Sequence, residues 1–329
     1  MTKQTETKQT NKQILGIHHI TAIAGDPQTN LDFYTGVLGL RLVKLTVNFE
    51  DPGTYHLYYG DGVGHPGTIL TFFPWPNAPQ GRRGTGQVTE TAFTIPESAV
   101  DFWAARLGEC NVVLQGPFDR FGEPVLSFSD PDGLGIELIG TKATRDNRAY
   151  QAGPIPLESA IRGLHSATLT QVDLPETGAL LTDTMGFRLF ARDGDRFRYA
   201  VDSGEPGALV DVLRAPNEQS GRVLTGTVHH IAWRTADDVQ LLGWRRELTR
   251  LGHHVSAVRD RKYFNSIYYR EPGGILFEIA TDSPGFTVDE APEDLGSKLV
   301  LPAWLEPERA KLQAVLPQLQ LAATLEAGI

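Results

Sequence analysis

The chain has 329 residues, and its 40 acidic side chains outnumber 30 basic ones, for a formal net charge of −10. The 40% of hydrophobic residues favours folded cores over general disorder. The acidic balance argues against nucleic-acid binding, the single cysteine excludes an internal disulfide and a cysteine-based zinc site, and no apolar run is long enough to span a membrane. We expect a cytoplasmic protein.

The polar segment 1–13 has no apolar core, so it predicts a disordered tail rather than a signal peptide. After it, one pattern of strand, helix and further strands occurs four times. Each repeat, here called modules 1 to 4, opens with an alternating apolar strand at 16–24, 87–95, 163–171 and 227–235. A helix bounded by Pro or Asp and by Gly follows at 27–39, 96–108, 175–186 and 237–252. A turn and an apolar strand close each repeat at 65–75, 130–140, 205–215 and 271–281.

Polar linkers suggest how the modules are grouped into domains. The stretch 141–162 separates a first domain at 14–150, with modules 1 and 2, from a second at 151–285, with modules 3 and 4. The tail 286–329 reads as short amphipathic helices interrupted by Pro317. We expect this tail to pack on the body of the protein or on a neighbouring subunit of a homo-oligomer.

Aligning the modules reveals two positions that hold metal-capable side chains. The first-strand position carries His19, Glu90, His165 and His230. The last-strand position carries Thr71, Glu137, Asp211 and Glu278. Neighbouring strands of a sheet would bring these positions together on one face. Seven of the eight side chains can bind a metal, which predicts a metal site built on histidine and carboxylate.

Which ligands combine depends on which modules pair. Modules 1 and 4 would give His19, His230 and Glu278. Modules 3 and 4 would give His165, His230 and Glu278, with Asp211 nearby. Modules 2 and 3 would form an acidic set of Glu90, Glu137, His165 and Asp211, which is either a second site or a remnant of duplication.

One feature favours the pairing of modules 1 and 4. Only these modules carry a His-His doublet, at His18-His19 and His229-His230. Successive strand residues face opposite sides, so one histidine of each doublet can face the metal unless a bulge brings both near. Two neutral imidazoles and one carboxylate suit non-haem Fe(II), with Mn(II) or another divalent ion as alternatives. His56 and His65 have no matching position and are interpreted as structural.

The repeats resemble the βαβββ modules of the vicinal oxygen chelate superfamily, which includes glyoxalases and extradiol dioxygenases. The segments GIHHITAIAGDPQTNLDFYTGVLGLRLVK, VHHIAWRT and DRKYFNSIYYREPGGILFEIATD are similar to hydroquinone-type ring-cleaving dioxygenases. The resemblance implies an α+β fold in which four βαβββ modules form two pseudo-symmetric, barrel-like domains of mixed sheet. It also implies that His19, His230 and Glu278 bind iron and that modules 1 and 4 surround the metal.

The same resemblance implies roles around the metal. His18, Thr21 and His229 match positions beside it, and Arg261 and Tyr268 match residues of the substrate pocket. His229 or Tyr268 would accept or relay the proton of a ring hydroxyl, and Arg261 would stabilise negative charge on oxygen. The expected partners are a small hydroquinone-like or catechol-like phenol and O₂. Two alternatives stay open: a glyoxalase-type metal-dependent lyase or isomerase, and a metal-free small-molecule binding protein.

Overall fold

The computed structural model describes residues 12–142 and 149–321. The predicted disordered tail at 1–13 therefore lies almost entirely outside the described residues. Modules 1 and 2 contribute the strands β1 (Ile17–Ala24), β2 (Arg41–Asn48), β3 (Asp51–Gly60), β4 (Ile69–Pro74), β5 (Gln87–Pro96), β6 (Leu114–Arg120), β7 (Glu123–Ser129) and β8 (Gly135–Thr141). Modules 3 and 4 contribute β9 (Leu164–Gln171), β10 (Arg188–Asp193), β11 (Arg196–Ala200), β12 (Leu209–Arg214), β13 (Thr227–Thr235), β14 (Arg259–Asp260), β15 (Phe264–Arg270) and β16 (Leu276–Pro284).

Within the described residues these strands form two curled eight-stranded mixed sheets. The first sheet has the order β14-β15-β16-β13-β1-β4-β3-β2 and joins module 4 to module 1. The second has the order β10-β11-β12-β9-β5-β8-β7-β6 and joins module 3 to module 2. The fold is thus α+β with four βαβββ modules, as expected. Modules pair 1 with 4 and 2 with 3, so the chain-order halves 14–150 and 151–285 each supply strands to both sheets.

The helices cross between the strands of each module: α1 (Pro27–Asp32), α2 (Val100–Glu109), α3 (Pro175–Ala179) and α4 (Asp238–Arg250). Asp26 begins α1 by accepting a hydrogen bond from the Thr29 amide, and Pro27 occupies the first helical position. Asp237 caps α4 in the same way through the Gln240 amide. None of the described helices has the length and apolar character needed to cross a membrane.

A glycine positions the strand that carries the first histidine doublet. Gly16 has a φ of +116°, and a Cβ there would lie 2.4 Å from the Gly207 carbonyl oxygen. This close approach lets the Ile17 amide donate to the same oxygen over 2.7 Å. The start of β1 is thereby fixed to module 3, in addition to its pairing with β13 and β4.

The segment that follows β16 folds back over module 1. Its described part, up to residue 321, contains short 3₁₀ turns and one helix, α5 (Arg309–Val315), which ends before Pro317 as the sequence predicts. The Val300 amide donates to the Leu45 carbonyl over 2.9 Å, which adds backbone pairing beside β2. Tyr55 donates from its hydroxyl to the Pro317 carbonyl over 2.8 Å. The tail therefore packs on the body of its own chain.

A buried lysine fastens this segment. Lys44 on β2 is fully buried, and its ammonium lies 2.7 Å from Asp289 Oδ1 and also contacts the buried carboxylate of Glu290. A buried charge is tolerated only when it is paired and hydrogen-bonded. The two acids thus hold residues 289–290 against the sheet edge.

Replacing Lys44 by Met is expected to lower the free energy of unfolding by about 3 kcal/mol, because Glu290 is left buried without its cation. Urea denaturation measures this change, and limited proteolysis should show earlier cleavage after residue 286. The control is Lys311→Met, because Lys311 is exposed and its ion pair among the described residues is with the exposed Glu308. Equal stability of the Lys44 variant and the wild type would contradict a fastening role.

Candidate metal centre

Both histidine doublets lie at β-bulges on the central strands of the first sheet. β1 and β13 pair antiparallel, and their register gains one extra residue at His18 and one at His229. A bulge bends the strand and re-aims its side chains. The rings of each doublet consequently touch, with 2.9 Å between the Nδ1 atoms of His18 and His19 and 2.8 Å between those of His229 and His230. Strict alternation of faces does not hold at either doublet.

His19, His230 and Glu278 converge at the centre of this sheet. Glu278 Oε2 lies 2.9 Å from His230 Nε2 and 3.2 Å from His19 Nε2. The two Nε2 atoms are 3.4 Å apart. Among the described residues this is the group of three or more candidate ligands whose donor atoms all lie within 4.8 Å of one another. The pairing of modules 1 and 4 thus brings together the ligand set that the doublets favoured.

The donor atoms of this triad fit a divalent cation. Glu278 is 0% exposed, yet neither of its oxygens accepts a well-aligned hydrogen bond from the described residues. Burial disfavours the ionised carboxyl, but the charges of His19 and His230 and their contacts outweigh it and hold the pKa of Glu278 well below its usual range. A buried carboxylate beside two imidazole nitrogens is a donor set that binds divalent metals. The triad could therefore hold such an ion.

The first histidine of each doublet fixes the tautomer of the second. His18 Nε2 lies 3.1 Å from the Thr281 carbonyl oxygen, so this nitrogen carries the proton and donates. His18 Nδ1 is then an acceptor, so His19 donates from Nδ1 and keeps the lone pair on Nε2. Burial, followed by the charge of His19, lowers the pKa of His18 to about 3, which keeps His18 neutral. Such outer partners orient metal-binding histidines.

His229 contacts His230 in the same way, with their Nδ1 atoms 2.8 Å apart. If His230 Nε2 gives its lone pair to a metal held with Glu278, its Nδ1 carries the proton and donates to His229 Nδ1. His229 would then carry its own proton on Nε2, and it lines the cavity in front of the triad. Burial, followed by the charge of His230, lowers the pKa of His229 to about 3. His18 differs because it does not line this cavity, and its Nε2 is bonded to the Thr281 carbonyl on β16.

Arg261 and Tyr268 stand on the module 4 side of the same cavity. Tyr268 is directly opposite Glu278 in the pairing of β15 with β16, and its ring lies 5.6 Å from that of His230. The Arg261 guanidinium donates from Nε to the Tyr268 hydroxyl over 3.1 Å. Burial, followed by the charge of Glu278, raises the pKa of Tyr268, so its hydroxyl stays protonated. The pair offers two hydrogen-bond donors beside the triad.

The cavity has a volume of about 280 Å³ and is lined by residues of both modules. Its aromatic side chains include Phe73, Trp75 and Phe264, and the Phe264 ring packs 5.1 Å from that of His19. Thr21 also lines it, two residues after His19 on β1. A small planar ring matches a cavity of this size that has apolar walls and few convergent polar groups.

The sequence reasoning missed His56, which it interpreted as structural. His56 lies on β3 and lines the cavity together with Tyr58. A signal was present in the sequence, because the doublet Tyr58-Tyr59 in module 1 repeats as Tyr268-Tyr269 in module 4. His65 instead bonds Asp61 through Nδ1 over 2.6 Å and is half exposed.

The second sheet holds the acidic set predicted for modules 2 and 3, but arginines pair with its acids. Glu137 receives two hydrogen bonds from Arg120, of 2.6 and 2.8 Å. Asp211 receives one of 2.8 Å from Arg198 and one of 3.1 Å from Arg196. These permanently charged guanidiniums satisfy the carboxylates that would otherwise bind a cation.

The remaining members of the acidic set are also engaged. His165 Nε2 lies 3.2 Å from Glu123 Oε1, and Glu90 Oε1 lies 3.4 Å from Arg83. Burial, followed by the charge of Glu137, raises the pKa of Glu90 to about 7. Across residues 12–142 and 149–321, no metal-ligand cluster arises from these side chains. The acidic set is a cluster of ion pairs.

Comparison with known proteins agrees with this arrangement. The family model described as the Glyoxalase/Bleomycin resistance protein/Dioxygenase superfamily matches residues 16–138 and 163–279. These ranges cover modules 1 and 2 and modules 3 and 4, respectively, so each match spans two of the repeats.

Relatives of similar length are also found. MhqO of Bacillus subtilis, provisionally named a ring-cleaving dioxygenase, is 48% identical over 307 residues, covering 93% of this chain and 97% of MhqO. A chlorohydroquinone/hydroquinone 1,2-dioxygenase of Sphingobium indicum is 36% identical over 305 residues, covering 91% and 94%. A crystal structure of a Bacillus subtilis protein provisionally named a dioxygenase has a TM-score of 0.90 at 47% identity, covering 94% and 98%.

The family model covers most of the chain, and these relatives match it over nearly their full lengths. The chain therefore belongs to the glyoxalase/bleomycin resistance protein/dioxygenase superfamily.

Proposed function

We propose that this protein is an Fe(II)-dependent dioxygenase that opens a hydroquinone-like or catechol-like ring with O₂. The observation that carries the proposal is the buried triad of His19, His230 and Glu278, which faces a ring-sized cavity. The names of the relatives from Bacillus subtilis and Sphingobium indicum support ring cleavage as the reaction.

The triad would hold the iron, and Mn(II) or another divalent ion suits the same donors. When bound, the ferrous ion supplies Lewis acidity toward a ring hydroxyl and electron transfer between ring and dioxygen. Residues of this chain do the positioning. Phe73 and Phe264 confine the ring, and burial of the triad excludes bulk water from it.

Hydrogen-bond donors surround the place where oxygen atoms gain charge. Tyr268 and Arg261 line the cavity from module 4, and His229 lines it from β13. With a metal on His230 Nε2, His230 would donate from Nδ1 to His229 Nδ1, so His229 would be a neutral donor through Nε2. A preorganised group of donors in a site sheltered from water stabilises developing negative charge on oxygen. We assign this role to Tyr268, Arg261 and His229.

Oxygen consumption by anaerobically iron-loaded protein tests the proposal. With hydroquinone as substrate, we expect about one O₂ consumed per ring opened and an acidic ring-opened product. Zn(II)-loaded protein should bind the phenol without consuming oxygen, because zinc has no redox chemistry. Absence of oxygen uptake across a panel of hydroquinones and catechols would contradict the proposal, and turnover of a glyoxalase substrate by the Zn(II) form would favour a lyase.

A further inference from the structure

Four polar side chains form a continuous hydrogen-bonded chain on the module 1 side of the cavity, here called the hydroxyl arm. Thr21 Oγ1 lies 2.8 Å from Thr71 Oγ1. Thr71 Oγ1 lies 2.9 Å from His56 Nε2, and His56 Nδ1 lies 2.9 Å from the Tyr58 hydroxyl. None of the roles proposed above involves His56, Tyr58 or Thr71.

Pseudo-symmetry shows what the hydroxyl arm replaces. Tyr58 is directly opposite Thr71 in the pairing of β3 with β4, as Tyr268 is opposite Glu278 in the pairing of β15 with β16. The module 4 half thus has a carboxylate where the module 1 half has a hydroxyl. At this position the module 1 half offers no anionic ligand, and it presents neutral groups that donate and accept hydrogen bonds.

The hydroxyl arm has one more polar hydrogen than its own hydrogen bonds use. Its three hydroxyls and the neutral imidazole of His56 carry four polar hydrogens, and three hydrogen bonds use three of these. If the protons point from Thr21 toward Tyr58, the Tyr58 hydroxyl is free to donate. If they point the other way, Tyr58 donates to His56 and its oxygen is free to accept.

The surroundings of His56 keep this arm neutral and rigid. Its ring lies 4.0 Å from that of Tyr58 and 4.3 Å from that of Phe73. Burial, followed by the charges of His19 and Arg261, holds the pKa of His56 well below its usual value. Both ring nitrogens are already engaged, so the imidazole fixes the Tyr58 hydroxyl in direction.

We propose that the Tyr58 end of the hydroxyl arm binds a second oxygen on the substrate ring, separate from the oxygen next to the triad. This inference rests on the proposed function and specifies its substrate. The Thr21 end stands two residues from His19 on β1, whereas Tyr58 lies beyond β4 on β3. Two oxygens on neighbouring ring carbons both reach the triad, so the arm favours oxygens on opposite sides of the ring.

The arm also suits an oxygen whose protonation changes. Because the arm can point its protons in either direction, Tyr58 can accept from a ring hydroxyl or donate to an oxyanion or carbonyl. His56 and Thr71 set this capacity through their hydrogen bonds along the arm, so they are positioning residues for Tyr58. Tyr58 is thus the residue that would distinguish a ring with a second hydroxyl from a monophenol.

The test compares binding of hydroquinone and 4-methylphenol, which replaces one hydroxyl by a methyl group. The Fe(II)-loaded protein is kept under nitrogen, and binding is followed by the fluorescence of Trp75, which lines the cavity. The wild type should bind hydroquinone about 10- to 100-fold more tightly than 4-methylphenol, because a buried hydroxyl without a partner is unfavourable. In Tyr58→Phe this ratio should fall to about one, with little change for 4-methylphenol.

Two further variants separate hydrogen bonding from packing. His56→Leu should lose the preference like Tyr58→Phe, whereas His56→Gln should restore part of it, because an amide both donates and accepts. Tyr59→Phe is the matched control, because the Tyr59 hydroxyl donates to Asn30 Oδ1, away from the cavity. The ratio should not change in this control.

An unchanged preference in Tyr58→Phe, or equal binding of the two ligands by the wild type, would overturn the inference. Binding under nitrogen is independent of turnover. If the protein prefers hydroquinone through Tyr58 but consumes no oxygen, the inference about the hydroxyl arm holds and the proposed function is wrong. If the protein consumes oxygen but its preference does not depend on Tyr58, the proposed function holds and the inference is wrong.

Discussion

Replacing Glu278 by Gln is expected to abolish stoichiometric metal binding and to lower the rate of oxygen consumption by about a thousandfold, since the metal contributes several kcal/mol to such reactions. Glutamine keeps the size of the side chain but removes the anionic ligand. Metal analysis after dialysis and an oxygen electrode measure the two effects.

The matched control is Glu137→Gln at the equivalent position of module 2. Glu137 carries two hydrogen bonds from Arg120, so this variant should lose stability. It should retain one metal per chain, because the triad is untouched. The two variants should thus differ in metal content: Glu278→Gln loses the metal and Glu137→Gln keeps it. Retention of metal by Glu278→Gln, or loss of metal by Glu137→Gln, would contradict the assignment of the triad.

The candidate metal ligands could be predicted from the sequence because duplication repeats them. A chain with four related modules offers an internal alignment, in which His19 and His230 share a position and each follows another histidine. The structure confirms the fold class and the convergence of the triad. Linkers were a weaker guide, since chain order alone did not show that the sheets pair modules 1 with 4 and 2 with 3.

Other features depended on geometry that no periodicity shows. The β-bulges at His18 and His229 bring both members of each doublet to one side of the strand. The rule that successive strand residues face opposite sides therefore does not apply at either doublet. His56 has no counterpart of its own type, because the equivalent position in module 4 is Ser266. A residue that serves one half of a pseudo-symmetric site cannot be found by matching the halves. The hydroxyl arm therefore became visible only in three dimensions.

The acidic set of modules 2 and 3 shows how a repeated site changes its chemistry. Its acids are where the alignment placed them, but their counter-charges come from strands that the alignment did not use. Arg120 is on β6, and Arg196 and Arg198 are on β11. Three guanidiniums thus supply the positive charge that the first sheet would take from a metal. The second sheet consequently depends on these arginines for its stability.

Replacing Arg198 by Met is therefore expected to lower the free energy of unfolding by about 3 kcal/mol, because buried Asp211 loses its shorter ion pair and keeps the 3.1 Å contact with Arg196. Arg198 is 2% exposed, and it bonds Asp211 over 2.8 Å and Glu123 over 2.7 Å. Methionine fills a similar volume, so loss of charge pairing dominates over loss of packing. Urea denaturation followed by circular dichroism measures the change.

Two comparisons make this prediction specific. Arg188→Met on β10 removes an exposed arginine whose guanidinium donates to the Asp202 carbonyl, and it should change stability by less than about 1 kcal/mol. Adding Asp211→Asn to Arg198→Met should recover part of the lost unfolding free energy, because asparagine carries no negative charge that needs Arg198. Equal stability of Arg198→Met and Arg188→Met would show that the ion pairs are dispensable. Metal content should remain one per chain in every variant, because the triad lies in the other sheet.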